Sequence, residues 1–211
     1  MELAHLRTDY EAPLLHRADL DPDPLRQFAR WFDEVQRSEL VEPNAAVLAT
    51  AGADGRPSAR HVLVKMAVAS GFVFFTNYHS RKARQIEANP FASLVFAWAP
   101  LGRQVIVEGQ VSKVSGEESD RYFAQRPRGS RLSSWASAQS HPVASRAELD
   151  EAYAKVAERY AGLDVPRPED WGGYRLEPQR IEFWQGQASR LHDRLVYEPS
   201  GSGWRIERLS P

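Results

Sequence analysis

Apolar positions recur first at helical spacing and then, for most of the chain, at strand spacing. Residues 1–22 are polar, broken only by Leu6, Tyr10, Leu14 and Leu15. They read either as an arm able to lie over a site or as a disordered terminus. D-P-D-P then supplies an N-cap and a proline at the first helical position, and Leu25, Phe28, Phe32 and Val35 follow at helical intervals. The expectation is an amphipathic helix ending near Leu40. From Asn44 the texture becomes β-like: A-A-V-L-A-T-A, a D-G turn at Asp54 and Gly55, and a long strand from Ser58 to Val68 make a hairpin. Further strands are expected at Phe72 to Asn77, Phe91 to Ala97 and Gln104 to Val114. One helix lies between them, over R-K-A-R-Q-I-E-A with Ser80 as its N-cap.

Beyond Val114 two capping boxes, Ser115 with Glu118 and Ser145 with Glu148, open helices. The first carries Tyr122 and Phe123 and stops at Pro127; the second shows Leu149, Tyr153, Val156 and Tyr160 on one face. The end returns to strands: W-G-G-Y-R-L, R-I-E-F-W-Q, R-L-H-D-R-L-V-Y, a P-S-G-S-G turn and W-R-I-E-R-L. Closely spaced strands with few crossover helices predict an antiparallel barrel, not a doubly wound sheet. The fold class is therefore mainly β with added helices, an α+β chain in which residues 23–211 form one domain behind an arm of residues 1–22.

Composition narrows the chemistry. A formal charge of −1 over 211 residues argues against a general nucleic-acid binder while permitting local anion pockets. Without cysteine there is no disulfide frame, thiolate metal site or thiol nucleophile, which suits a reducing cytosol. The first residues lack the pattern of a signal peptide, and no run approaches the ~18 apolar residues of a spanning helix, so the expectation is a soluble cytoplasmic protein with no membrane partner. Dinucleotide-fold, P-loop and G-x-S-x-G signatures are missing, and the six histidines are too scattered for a local metal motif.

Charge is distributed unevenly. Arg56 to Ile86 carries Arg56, Arg60, Lys65, Arg81, Lys82 and Arg84 with no carboxylate. A strand delivering Thr76 to a helix N-terminus beside Arg81 and Lys82 makes an anion cradle, although a solvated basic helix face also fits. Arg60 and Lys65 fall on opposite faces of their strand, about 17 Å apart if it is regular. A second acid-free stretch, Arg121 to Ala147, places Tyr122 and Arg126 one helical turn apart with Ser130 beyond the break. It fits another phosphate, or a loop of ordinary turn chemistry. Near the end, an extended backbone would put Arg190, His192 and Arg194 on one face and Leu191 and Leu195 on the other. His192 is then either a packed core histidine or part of a site. Two anion cradles and a cationic face suggest a phosphorylated cofactor beside a phosphorylated substrate.

From Leu6 to Pro211 the chain resembles the pyridoxine/pyridoxamine 5′-phosphate oxidase family. The resemblance lies in R-H-V-L-V-K, F-T-N-Y-H-S-R-K-A, R-Q-V at Arg103, R-P-R-G-S, Q-S, W-G-G-Y-R and I-E-F-W-Q-G followed by R-L-H-D-R. It implies a split antiparallel β-barrel of the FMN-binding type, working as a homodimer with FMN at the interface. By matching motif, Arg60, Arg81 and Lys82 would hold the FMN phosphate with Phe75 and Thr76 nearby. Val62, Leu63 and Lys65 would lie along the flavin, with Gln104, Gln139, Ser140, Trp184 and Arg194 around it. Lys65, Tyr122, Arg126 and Ser130 would take the substrate phosphate. Arg190 and His192 would face the pyridine ring as the catalytic pair, and Arg7 and Tyr10 would close over it.

The reaction this resemblance implies is oxidation of pyridoxine 5′-phosphate or pyridoxamine 5′-phosphate to pyridoxal 5′-phosphate. Hydride passes to flavin N5, and dioxygen reoxidises the flavin to give hydrogen peroxide. Where the family more often reads Q-I-G-A-W after Ser130, this chain has R-L-S-S-W, and Val64 replaces a common leucine. Relatives on the same barrel oxidise phenazine precursors with FMN or use a deazaflavin, so the alternative is a split-barrel flavin or deazaflavin oxidoreductase acting on another substrate. A non-catalytic flavin- or nucleic-acid-binding module is the other class of answer.

Overall fold

Residues 1–3, 5, 10 and 12–211 are described by a computed structural model; Arg7 lies outside them. The first helix, α1 (Pro24–Gln36), starts as expected: Asp23 accepts from the Leu25 N–H at 2.9 Å, and Pro24 needs no partner for a missing donor. It ends before Leu40, because Ser38 turns its hydroxyl back onto the Val35 carbonyl and ends the apolar repeat. Phe28 and Trp31 pack against Phe72, Phe96 and Phe183, so α1 closes over the main core. Burying a side chain such as Phe28, 4% exposed, contributes about 2–3 kcal/mol.

Six antiparallel strands close the barrel: β1 (Ala45–Ala51), β2 (Pro57–Val68), β3 (Gly71–Asn77), β4 (Phe91–Trp98), β5 (Arg103–Lys113) and β6 (Trp171–Gln185), in the circular order 3-2-1-4-5-6. The split falls on β6. Its first residues pair with β3, from Trp171↔Asn77 to Leu176↔Phe72, whereas its last pair with β7 (Asp193–Ser200), which continues into β8 (Gly203–Leu209) outside the barrel. The sequence reading had two strands here; Pro178 is instead accommodated at a bulge between Glu108 and Gly109, so one strand runs through. Gly109 is required there, since a Cβ would overlap the Glu177 carbonyl oxygen. Lys65 is the extra residue of another bulge, between the pairs Val64↔Phe74 and Met66↔Val73.

Helices decorate the barrel. Ser80 caps α2 (Arg81–Ala88) and Ser115 caps α3 (Gly116–Gln125). Glu118 does not reciprocate as a capping box, because both its oxygens accept from Arg175. The stretch after Pro127, where a loop of turn chemistry is the alternative to a phosphate site, is a helix, α4 (Arg128–Ala136). Its glycine and serines hid it, and its stability comes from Leu132 packing in a small cluster with Tyr160 and Val165 beside α5 (Arg146–Arg159). Among the described residues no helix is long and apolar enough to cross a membrane.

Candidate active site

The first cradle forms where β3 runs into α2. Lys82, on the first turn of α2, is buried, and its Nζ donates to Thr76 Oγ1 at 3.0 Å and to Gln139 Oε1 at 3.2 Å. The Thr76 hydroxyl donates to the same Gln139 oxygen at 2.8 Å. Burial, with Arg60 nearby, pushes the Lys82 ammonium down to about 8. Arg60 reaches back across the hairpin, donating to the Leu48 carbonyl at 3.1 Å, Thr50 Oγ1 at 2.6 Å and Ser58 Oγ. Burial and then Arg81 lower its guanidinium as well. Arg60 thus repels both Arg81 and Lys82, and among the described residues no carboxylate offsets the repulsion at Arg60 or Lys82.

The second cradle opens beside the first. A cavity of about 680 Å³ is lined by Leu63, Lys65, Phe75, Thr76, Tyr122, Arg126, Ser130, Ser134, Gln139 and Trp171, among others. Lys65, the extra residue of the bulge, lines this cavity two residues beyond Leu63. Phe75 stacks on Tyr122 at 4.0 Å between centroids and on Trp171 at 5.5 Å, forming an aromatic wall. Arg126 lies over Trp171 at 4.6 Å. Burial lowers Arg126 and raises the neighbouring Tyr122 hydroxyl, and among the described residues no carboxylate contributes at either. Val62 packs against the main core, while Ser140, at φ 70, is exposed and outside the cavity lining.

A separate group gathers at the other end of β6. Gln104, Trp184 and Arg194 are directly paired across β5, β6 and β7 and so share a sheet face. Arg194 is tied to the buried Glu182 at 2.7 and 3.1 Å. Burial alone would raise the Glu182 carboxyl, but hydrogen bonds from Arg194 and Arg180 outweigh it and hold the group below the usual range. The His192 ring lies 4.7 Å from Trp184, and its Nδ1 accepts from the Gln187 N–H at 3.0 Å. Tyr10 packs edge-on to both rings, seated on Gly102 and Gly186 where a Cβ would collide with it.

Arg190 departs from the expected one-face ladder. Ser189 and Arg190 are left-handed, at φ 55 and 61, in a short 3-10 turn, and β7 begins only at Asp193. The backbone is therefore not extended through R-L-H, and Leu191 is exposed while Leu195 is buried. Within one chain the cavity includes none of Gln104, Trp184, Arg190, His192 or Arg194. From Gly172, opposite Thr76, to Trp184 is roughly 40 Å of strand at ~3.3 Å per residue.

Sequence reasoning missed the layer that holds the cations. Gln85 Oε1 accepts from Thr50, Ser58 and Arg60, and Ser134 and Trp171 contact Arg126. Gln85 had a readable signal, since it lies one helical turn beyond Arg81.

A barrel split along β6, with two cationic clusters against its wall that no carboxylate pairs among the described residues, is that of a flavin-binding split-barrel oxidoreductase. The family profile described as pyridoxamine 5′-phosphate oxidase matches residues 32–160, and that of the pyridoxine 5′-phosphate oxidase C-terminal dimerisation region matches residues 171–211. The chain belongs to the pyridoxine/pyridoxamine 5′-phosphate oxidase family. It is 58% identical to the Rubrobacter xylanophilus protein of that name, covering 100% of this chain and 97% of the relative. The Burkholderia multivorans protein is 57% identical, over 99% of each chain. Among solved structures, PhzG from Burkholderia lata in complex with tetrahydrophenazine-1-carboxylic acid superposes with a TM-score of 0.88 at 33% identity, covering 95% of this chain and 99% of that one.

Proposed function

We propose that this chain is an FMN-dependent oxidase that converts pyridoxine 5′-phosphate and pyridoxamine 5′-phosphate to pyridoxal 5′-phosphate. The observation that carries the reading is that Lys65, Tyr122, Arg126 and Ser130 line one cavity together with Thr76 and Gln139 of the other cradle. Two adjacent cationic sites without carboxylates suit two phosphates, one from the cofactor and one from the substrate. Arg60, Arg81, Lys82 and Thr76 fit the FMN phosphate: an arriving dianion would relieve their repulsion, and the neutral Gln139 oxygen already accepts where a phosphate oxygen could. Leu63, Lys65 and Phe75 would flank the flavin.

Bound FMN supplies acceptance of hydride from the substrate carbon and delivery of electrons to dioxygen, giving hydrogen peroxide. The protein orients the reacting pair and excludes water. Lys65, Tyr122, Arg126 and Ser130 fix the substrate phosphate against the aromatic wall. With Nδ1 engaged by the Gln187 N–H, a neutral His192 carries its proton on Nε2 and can donate it towards the pyridine ring. Arg190 and His192 act on that ring, Gln104, Trp184 and Arg194 border the flavin, and Tyr10, seated on Gly102 and Gly186, closes over them. Because this second group lies outside the cavity of its own chain, it would complete the site of a partner copy. The match to a dimerisation region over residues 171–211 supports a homodimer.

A second reading, oxidation of a phenazine precursor, is favoured by the likeness to PhzG. The substrate-side cations weigh against it, since a tricyclic monocarboxylate does not need Lys65, Tyr122, Arg126 and Ser130 as a set. Steady-state assays of pyridoxal 5′-phosphate formation with coupled oxygen uptake separate the two. Turnover of the phosphorylated pyridines, with dihydrophenazine carboxylates left untouched, supports the first reading, and the reverse preference establishes the second.

A further inference from the structure

We infer that Ser134 and Trp171 are positioning residues for Arg126, holding its guanidinium in place before the substrate phosphate arrives. This rests on the reading of the cavity as the substrate phosphate site. Arg126 is the C-cap of α3, and its side chain crosses to α4, where Nη1 donates to Ser134 Oγ at 2.6 Å. Ser134 Oγ in turn donates to the Ser130 carbonyl at 3.0 Å. A hydroxyl has one proton. With that proton directed to Ser130, Ser134 can only accept from Arg126 and cannot itself donate to a ligand, so it acts through the arginine.

The guanidinium is held on its other side by aromatic rings, 4.6 Å from the Trp171 centroid and 5.4 Å from that of Phe123. Trp171 is buried and near-parallel to Phe75 and Tyr122, so this platform does not move freely. One N–H is thus engaged by Ser134 and one face by Trp171, which leaves further donors of the planar fork for an anion. Two other partly buried arginines are matched to carboxylates, Arg175 to Glu118 and Arg180 to Glu182. Arg126 has a hydroxyl and a ring instead, an arrangement that fixes direction without neutralising charge. The serine pair of R-L-S-S-W thereby acquires a role: Ser134 constrains the rotamer of the arginine that meets the phosphate.

The test uses the full-length protein as Ser134→Ala and Ser134→Thr. Pyridoxal 5′-phosphate and FMN are titrated into the apoprotein by calorimetry, and KM and kcat are measured on the FMN-loaded enzyme. The expected result for Ser134→Ala is about fivefold weaker binding of pyridoxal 5′-phosphate and a matching rise in KM, with FMN affinity and kcat held and Ser134→Thr restoring both losses. Unchanged pyridoxal 5′-phosphate affinity in Ser134→Ala overturns the inference, as does an equal loss of FMN affinity or kcat, which would mark Ser134 as merely structural. A wild-type protein that binds FMN but not pyridoxal 5′-phosphate overturns instead the phosphate-site reading beneath it.

Discussion

Lys82 Nζ donates to Thr76 Oγ1 at 3.0 Å, so a buried ammonium and the last turn-facing hydroxyl of β3 meet at the N-terminus of α2. Burial and Arg60 hold that ammonium at about 8. Between about 8 and its ordinary 10.5 the unfolded chain binds more protons here than the folded apoprotein, so this group adds stability as pH rises through that window. A bound phosphate reverses the preference by favouring the charged form. FMN affinity is therefore expected to fall above pH 8, approaching roughly tenfold per pH unit, and to lose that dependence in Lys82→Met. Flavin-fluorescence titrations from pH 7 to 9.5 check this; parallel curves for wild type and variant would remove Lys82 from the cradle.

Arg126→Ala removes the half-buried cation over Trp171 while leaving the Arg60 and Lys82 cluster intact. KM for pyridoxine 5′-phosphate is expected to rise at least tenfold, as a charge-assisted hydrogen bond of about 1.5–3 kcal/mol is lost, with FMN still bound. Equal loss of both ligands would show that the cradles are not separate.

Glu182, 2% exposed, sits between Arg180 and Arg194 on the split half of the sheet. Glu182→Gln removes the carboxylate between two arginines and is expected to cost about 2–4 kcal/mol, less than a fully buried pair because Arg180 keeps Glu108 and both arginines keep some solvent. Thermal unfolding at pH 7 should show it as a lowered Tm. An unchanged Tm would mean that the arginines simply turn outward.

The separation of the cavity from His192 and Trp184 within one chain predicts complementation. Arg126→Ala and His192→Ala proteins, each feeble alone, should regain about a quarter of wild-type activity when randomly mixed as dimers, because half the dimers carry one intact site of two. Mixtures no more active than their components would place the whole site within one chain.

Much of this was readable from residue pattern. The barrel strands showed as alternating runs, and the D-G turn and the serine caps fell where expected, because those signals are local. What escaped depended on tertiary packing: α4, whose G-S-R-L-S-S sequence has weak helical propensity, and the unbroken β6, whose Pro178 sits at a bulge set by Gly109 on another strand. The Arg190 turn was misread because two non-glycine residues adopt positive φ, which no local residue type announces. Charge imbalance located both cation clusters, yet the neutral partners Gln85, Ser134 and Trp171 carried no charge signal and came together only through the fold.

The central claim, that this site passes hydride from a phosphorylated pyridine to bound flavin, is tested most directly in the absence of oxygen. Protein loaded with FMN is mixed anaerobically with pyridoxine 5′-phosphate and the visible flavin absorbance is followed. The account predicts bleaching, one pyridoxal 5′-phosphate formed per flavin reduced, and recovery of colour when air is admitted. Flavin that stays oxidised with both the alcohol and the amine substrate would contradict it.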